Sequence, residues 1–304
     1  MGTTWSAKIA LDEGRAARGF GDAIEAKRAL VIAQMSQWDH DSDLCRFNRA
    51  EPGSWHVLPD EFFKVLTHAL DLARETHGAY DPTIGGLTEL WGFGAAGRRS
   101  ELPDQDSITC AHGRTGWGRV VVDPARRAVM QPGGVQLDLS SIAKGFAVDL
   151  VSDALSQRGL IDHLVEIGGE LRGSGTKPDQ SPWWVALDPA DGTAGETIVA
   201  LHGLSVATSG DAQRFIKADG RVFSHTIDPR TGWPISDTLA SVTVFDRSCM
   251  RADALATALS ALGAEAGYAF ASARDIAARF LVRGEGGIQE RITPAFADML
   301  EGPV

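Results

Sequence analysis

The sequence has few cysteines and no long apolar stretch, and both scarcities narrow the class of protein. Its 304 residues include only three cysteines, Cys45, Cys110 and Cys249, which lie far apart and form no CxxC pair. Neither a disulfide framework nor a structural zinc site is therefore expected. The segment nearest to a membrane span, residues 254–273, carries Glu265 and two glycines. We expect a buried helix there rather than a transmembrane segment.

Positive charge is also scarce. Lys and Arg total 29 against 40 Asp and Glu, which gives a formal net charge of −11. An acidic surface repels phosphate backbones, so a nucleic-acid partner is not expected. The first residues lack the basic head and apolar run of a signal peptide. We therefore expect a cytoplasmic protein, or a periplasmic or membrane-anchored one if an export signal was removed.

Glycine, in contrast, is abundant. The chain has 34 glycines, while 43% of its residues are apolar and 23% are charged. The last two values are those of an ordinary globular protein. Many glycines indicate many turns and places where the backbone approaches another group closely. The composition favours an acidic globular enzyme.

The periodicity of apolar residues predicts more strands than helices. Helices are predicted at 22–37, from Pro59 to about Gly78, from Ser140 to Arg158, and from about Arg251 onward. Strands are predicted at 119–123, 128–131, 164–167, 183–187, 197–201, 222–227 and 239–245, and residues 92–118 are predicted to be a loop. The strands do not alternate with helices, which favours an α+β fold with mostly antiparallel sheets flanked by helices. We expect a single domain over residues 1–304.

One common nucleotide-binding signature is present but lacks its context. Residues 92–97 match GxGxxG, yet no strand precedes them and no helix opens inside them. We interpret this segment as a glycine-rich loop. The chain contains no GxxxxGK[ST], GxSxG or HExxH motif.

The segment 137–145, LDLSSIAKG, combines an acidic residue, two hydroxyls and a lysine at a predicted helix start. A helix N-terminus presents free N–H groups and the positive end of the helix dipole, which suits a phosphate. Lys144 would add a positive charge there. The alternative is an ordinary serine cap next to a solvated lysine.

Asp253 and Thr257 lie four residues apart on the last predicted helix and share one face. A carboxylate next to a hydroxyl suits Mg²⁺ that shares its ligands with water and a substrate phosphate. The alternative is an aspartate that caps the helix and a threonine that bonds back to a carbonyl.

Other candidate groups are weaker when taken one at a time. His225 precedes a DPRTG turn and could act as a general acid or base, or simply hydrogen-bond the turn. Glycine-bearing turns predicted at 167–170 and 207–210 could approach a ligand or only close hairpins. Trp38 and Tyr80 could stack on a flat ring system or belong to the core.

The order of these segments resembles the ApbE family, the FAD:protein FMN transferases. The matching blocks are MGTTW at 1–5, MSQWDHDSDLCRFN at 35–48, HGAYDPTIGGLTELWGFG at 77–94, LDLSSIAKGFAVD at 137–149, VEIGGELRGSG at 165–175, VATSGDAQRF at 206–215, SHTIDPRTGWPI at 224–235 and ADALATAL at 252–259. These blocks span nearly the whole chain in one order, which is far more specific than any one motif.

The resemblance implies an ApbE-like fold with FAD in a cleft between two halves. It places flavin contacts on Met1, Trp38, Ala79, Tyr80, Asp81, Asp138, Lys144 and Ile227. It places a metal shell for Mg²⁺ or Mn²⁺ on Ser141 through its carbonyl, Asp253 and Thr257. His225 and Asp253 are the implied catalytic residues. Trp38 stands where a tyrosine is expected, which preserves stacking but not a phenolic hydrogen bond.

The implied reaction moves FMN from FAD to a Thr or Ser hydroxyl of an acceptor flavoprotein and releases AMP. Two alternatives stay open at this point. An FAD pyrophosphatase would use the same residues with water as the acceptor, and a flavin-binding protein without catalysis would need neither the Asp253 and Thr257 pair nor His225.

Overall fold

A computed structural model of the chain describes residues 3–11, 19–99, 101–187, 197–210, 215–218 and 221–301. The predicted flavin contact Met1 lies outside these residues. Contacts within the chain divide it into two compact units. Unit 1 comprises Leu30–Ala143 and Gln213–Asp237, and unit 2 comprises Gly2–Ala29, Lys144–Ala212 and Thr238–Val304. That residues 1–304 form a single domain stays a prediction.

Helices and antiparallel sheets are mixed along the chain, as the α+β prediction requires. Within the described residues the helices are α1 (Phe20–Met35), α2 (Asp43–Asn48), α3 (Asp60–Glu75), α4 (Gly85–Leu90), α5 (Gln105–His112), α6 (Ala143–Ser156), α7 (Cys249–Leu262), α8 (Ala264–Ser272) and α9 (Pro294–Glu301). The strands there are β1 (Trp5–Ile9), β2 (Trp55–Val57), β3 (Val121–Asp123), β4 (Ala128–Met130), β5 (His163–Ile167), β6 (Glu170–Ser174), β7 (Trp183–Leu187), β8 (Thr197–Leu201), β9 (Leu204–Gly210), β10 (Phe215–Ala218), β11 (Arg221–Ser224), β12 (Ile227–Asp228), β13 (Trp233–Pro234), β14 (Leu239–Asp246), β15 (Ala277–Gly284) and β16 (Gly287–Ile292).

Unit 2 is built on a seven-stranded sheet. The strand order is β1-β5-β6-β9-β14-β15-β16, and every neighbouring pair is antiparallel. The interior strand β14 is almost continuously buried, since Val242 and Val244 are fully enclosed and Thr243 is also buried. Helix α7 packs against β9 and β14. The sheet therefore supports α7, the helix that carries Asp253 and Thr257, through this packing.

Unit 1 contains a three-stranded sheet of order β2-β4-β3 together with the amphipathic helix α3. The predicted hairpin is confirmed, because Val122 pairs with Val129 across β3 and β4. Helix α3 buries the apolar face that its sequence predicts, including Phe62 and Leu66. The chain leaves the helix through Gly78, whose φ of +82° favours glycine and whose N–H donates to Ala73 O at 2.8 Å.

The prediction of a continuous loop at 92–118 is wrong, because α5 lies inside it. Asp104 caps this helix by accepting the Ser107 N–H at 2.7 Å, and Ile108 is its one buried residue. With a single buried position, the helix has almost no apolar periodicity to detect. The segment 92–97 itself is irregular, as the interpretation of its glycines required.

Four other elements differ from the predictions. Helix α6 begins at Ala143 rather than Ser140, and residues 254–273 form two helices that meet at Gly263, where φ is +85°. Residues 207–210, predicted as a turn, lie in β9 and pair with β14. The predicted strand 222–227 is interrupted at His225 and Thr226, which lie between β11 and β12.

None of the described helices combines the length and the apolar character needed to cross a membrane. Cys45, Cys110 and Cys249 are all free thiols.

Candidate functional site

The first turn of α7 in unit 2 is capped by side chains from two elements. Ser248 Oγ accepts the Arg251 N–H at 3.3 Å, and Asp149 on α6 accepts the N–H groups of Cys249 at 3.0 Å and Met250 at 3.1 Å. These bonds satisfy the amides that a helix start otherwise leaves without partners. The beginning of α7 is therefore fixed to α6.

Asp253 lies one turn inside α7 and is only 4% exposed. Its Oδ2 accepts the Gly145 N–H at 2.9 Å, and its Oδ1 faces Lys144 Nζ at 3.3 Å. Because Ser248 and Asp149 cap the helix, Asp253 is not its cap. Asp253 therefore does not cap its own helix, although its Oδ2 caps an N–H in the first turn of α6. Thr257 follows one turn further along α7.

Gly145 makes the close approach of the two helices possible. A Cβ at this position would lie 2.8 Å from Asp253 Cβ and even nearer to the carbonyl oxygen of Cys249. Any side chain larger than hydrogen would therefore push α6 and α7 apart.

Lys144 is the second residue of α6, and it is not a solvated lysine. Its Nζ contacts Glu170 Oε1 at 2.5 Å in addition to Asp253, and its side chain is 28% exposed. Burial lowers the pKa of Lys144, but the neighbouring Asp253 and Glu170 carboxylates outweigh that effect and hold the pKa above its ordinary value. The lysine therefore stays charged throughout the physiological range.

Glu170 is the functional candidate that the sequence did not single out. It opens β6 immediately after Gly168 and Gly169, and it is 3% exposed. Burial, with a smaller contribution from the Asp253 charge, raises its pKa, although Lys144 opposes the change. Its Oε2 is buried and has no hydrogen-bond partner. Only its position after a Gly-Gly hairpin in the block at 165–175 could have indicated a role.

This cluster fits a divalent cation that is shared with a substrate. The buried carboxylates of Asp253 and Glu170 face the ammonium of Lys144, and Oε2 of Glu170 has no hydrogen-bond partner. The hard oxygens of Asp253 and Thr257 are the donors that Mg²⁺ prefers, and Mg²⁺ commonly binds few protein groups together with water and phosphate. In the part of the chain that the structure describes, no group of three or more His, Cys, Asp or Glu could hold a metal alone. The donor set therefore suits a shared cation rather than a closed protein cage.

The other predicted site residues belong to unit 1. Tyr80 and Ser141 meet there, with Ser141 Oγ donating to the Tyr80 hydroxyl at 3.1 Å, so this serine is engaged with Tyr80. Asp138 is buried and accepts the Ser140 N–H at 2.8 Å. Ala79, which precedes Tyr80, is also buried.

Asp81 is held in a tight hydrogen-bonded turn. Its Oδ1 accepts the N–H and the hydroxyl of Thr83 at 2.8 and 2.7 Å, and its Oδ2 accepts the Trp117 N–H at 2.9 Å. Burial raises the pKa of Asp81 despite these bonds, which act in the opposite direction. Asp81 therefore fixes the local backbone of the predicted flavin-binding segment.

Trp38, Ile227 and His225 occupy different environments in unit 1. The indole of Trp38 is 46% exposed, as stacking on a ligand requires. Ile227 is buried with Leu87 and Trp91. The His225 ring lies edge-on to Phe93, with centroids 6.3 Å apart.

A cavity of about 380 Å³ opens in unit 1, where its lining includes Thr83, Arg99, Arg114 and Gln136. Among the described residues that line it, none is a predicted site residue. The cavity is therefore distinct from the positions that the sequence singled out.

Known proteins resemble this chain over most of its length. The model of the ApbE family matches residues 1–280. A Vibrio cholerae protein named FAD:protein FMN transferase is 35% identical over 99% of this chain and 90% of its own length, and a Haemophilus influenzae protein of the same name is 34% identical over the same shares. The crystal structure of Pseudomonas stutzeri flavinyl transferase ApbE, apo form, matches with a TM-score of 0.91 and 40% identity, covering 100% of this chain and 95% of that one.

Proposed function

Because the chain belongs to the ApbE family, we propose that it is an FAD:protein FMN transferase that attaches FMN to a Thr or Ser hydroxyl of a partner protein and releases AMP. The observation that carries the chemical part of this proposal is the buried cluster of Lys144, Glu170 and Asp253. A lysine at a helix start next to a buried aspartate suits the handling of a pyrophosphate.

The proposed reaction is a phosphoryl transfer. The acceptor hydroxyl oxygen forms a bond to the FMN-side phosphorus of FAD, and the bond from that phosphorus to the oxygen bridging it to AMP breaks. The electron pair of the broken bond leaves with AMP. Such a reaction depends on positioning and charge stabilisation more than on covalent catalysis.

Charge stabilisation is assigned to unit 2. Lys144 contributes a fixed positive charge, and its pKa keeps it protonated. A divalent cation held by the Asp253 carboxylate and the Thr257 hydroxyl would neutralise charge on the pyrophosphate, and Mg²⁺ or Mn²⁺ would serve. The Ser141 carbonyl stays a predicted further donor.

Flavin binding and proton transfer are assigned to unit 1. Trp38 offers an exposed aromatic face, while Ala79, Tyr80, Asp81, Asp138 and Ile227 are the remaining proposed flavin contacts in that unit. His225 is the proposed base that takes the proton of the acceptor hydroxyl, because imidazole accepts a proton near neutral pH.

One incubation tests the proposal against the two alternatives. The chain is mixed with FAD, Mg²⁺ and a candidate acceptor flavoprotein, and the products are separated on a denaturing gel and by chromatography. A fluorescent acceptor band with equimolar AMP is expected. Free FMN and AMP without a labelled band would instead identify a pyrophosphatase, and unchanged FAD would identify a binding protein.

A further inference from the structure

Glu170 is enclosed at the start of β6, directly above the lysine of α6. One oxygen, Oε1, contacts Lys144 Nζ at 2.5 Å, whereas the other is buried without a partner. Pairing with Lys144 offsets part of the free-energy cost of burying this carboxylate, but the buried Oε2 has no such compensation.

The ammonium of Lys144 is shared unequally between two carboxylates. It lies 2.5 Å from Glu170 Oε1 but 3.3 Å from Asp253 Oδ1. The other oxygen of Asp253 is already engaged by the Gly145 N–H at 2.9 Å. Asp253 Oδ1 is therefore the less committed of the two Asp253 oxygens, and the ammonium that faces it lies closer to Glu170.

The hairpin between β5 and β6 holds both members of the Lys144–Glu170 pair. A Cβ on Gly168 would lie 3.2 Å from Lys144 Cδ, so a side chain at this position would crowd the lysine stem, while Glu170 binds the ammonium. Gly168 has a φ of +68° and its N–H donates to Thr4 O at 3.1 Å in the neighbouring chain segment. The residue that binds the lysine therefore lies on a hydrogen-bonded hairpin of the sheet.

We infer that Glu170 is a positioning residue that draws the Lys144 ammonium away from Asp253 and so keeps Asp253 Oδ1 open to a divalent cation. This inference rests on the proposed function, because that function is what calls for a cation at Asp253. An ammonium and a divalent cation compete for the same carboxylate oxygen. Without the Glu170 side chain as the nearer partner of its ammonium, Lys144 would pair with Asp253 alone and exclude the cation.

Binding of Mn²⁺ alone tests this, with no flavin present. Free Mn²⁺ is measured by electron paramagnetic resonance for the wild type, Glu170→Gln, Lys144→Gln, and the double variant. Glu170→Gln is expected to weaken Mn²⁺ binding by about tenfold or more. Lys144→Gln is expected to bind Mn²⁺ more tightly than the wild type. The double variant should return to within about threefold of the wild type, because the competitor is gone.

Glu166→Gln is the matched control. Glu166 lies on the same hairpin and accepts the Gly169 N–H at 2.9 Å, a bond that glutamine can also accept. It removes one negative charge near the cluster without touching Lys144, and Mn²⁺ affinity should change by less than about twofold.

Three results would overturn the inference. If the double variant binds Mn²⁺ as weakly as Glu170→Gln, Glu170 is itself a metal ligand. If Glu170→Gln binds like the wild type, its role is packing only. Should Glu170→Gln fail to fold, Lys144→Gln still decides, since unchanged or weaker Mn²⁺ binding would contradict competition at Asp253. The flavin-transfer assay on the wild type separately tests the proposed function, so the two can fail independently.

Discussion

The carboxylate of Asp149 accepts a hydrogen bond from the Ser248 hydroxyl at 2.8 Å. This bond joins α6 to the N-cap residue of α7. The same carboxylate also accepts two backbone amides and the guanidinium of Arg172. A single side chain thus satisfies four donors at the start of the helix that carries Asp253.

Replacing Asp149 by Asn should therefore destabilise the protein. The amide NH₂ would face donors where a carboxylate oxygen now accepts, and we expect the free energy of unfolding to fall by about 1–3 kcal/mol in urea titrations. Asp153→Asn is the control, because Asp153 also pairs with Arg172 but its side chain is 56% exposed. Equal losses in the two variants would contradict the capping role.

Two helical glycines should respond in opposite directions to alanine. Gly145→Ala would force a Cβ against Cys249 and Asp253, so we expect a loss of about 1–3 kcal/mol in unfolding free energy. Gly21 in α1 has open space around its Cβ position and no positive φ. Gly21→Ala should therefore stabilise the fold by about 0.5–1 kcal/mol. Denaturant unfolding of both variants checks the pair, and a stabilised Gly145→Ala would refute the close packing.

Asp253→Ala should abolish measurable flavin transfer, because it removes the carboxylate proposed to hold the cation. Thr257→Val is the graded counterpart, since it removes only a neutral hydroxyl. We expect it to raise the Mg²⁺ concentration needed for half-maximal transfer while leaving some activity at saturating Mg²⁺. The Mg²⁺ dependence of initial rates measures both. Normal transfer by Asp253→Ala would remove the residue from the proposed metal site.

His225→Ala should still bind FAD but transfer FMN more slowly. Loss of a general base typically costs about 10²-fold or more in the chemical step. Single-turnover rates, with FAD affinity measured in parallel, separate binding from chemistry. His202→Ala is the control, because His202 is exposed and bonds only Gly175 O among the contacts described. An undiminished rate for His225→Ala would exclude its role as base.

His163 should contribute a loss of stability in mild acid, against the raised pKa of the Glu170 carboxyl, which acts in the opposite direction. Burial lowers the pKa of His163 below its ordinary value of 6.5, and the ring is held by Ser152 and Leu160. The unfolded chain then binds more protons as pH falls through about 6.5, so the free energy of unfolding falls until the folded pKa is passed. The slope should reach at most about 1.4 kcal/mol per pH unit. Urea titrations from pH 8 to 5 should show a shallower slope for His163→Asn, and an unchanged slope would assign the effect elsewhere.

The elements that the sequence predicted well are those with a strong local pattern. Helix α3 and the β3–β4 hairpin carry clear periodicity and a turn signal, so they appear near their predicted positions. Helix α5 has one buried residue, and β9 contains Ala, Thr, Ser and Gly at its end, a composition typical of a turn. The strand conformation of β9 comes from its pairing with β14 and β6, which the local sequence does not encode.

The candidate site shows the same division. Lys144 and Asp253 could be selected one at a time by residue type and spacing, yet 109 residues separate the two partners of their contact. The role of Glu170 depends on that contact as well, so it emerges only when the hairpin, α6 and α7 are brought together. The role of Asp149 follows in the same way from the packing of α6 against α7, because Asp149 and its partner Cys249 are 100 residues apart in the chain.

Lys144, Gly145 and Asp149 use one short stretch of α6 for three separate tasks. An α-helix turns by about 100° per residue, so inserting or deleting one residue between Gly145 and Asp149 would carry one contact away from α7 while the other stayed. A single substitution leaves the spacing between Gly145 and Asp149 unchanged, whereas an insertion or deletion between them always changes it. The spacing of these residues along α6 is therefore constrained as well as their side chains. Insertions are expected to be tolerated only outside this segment.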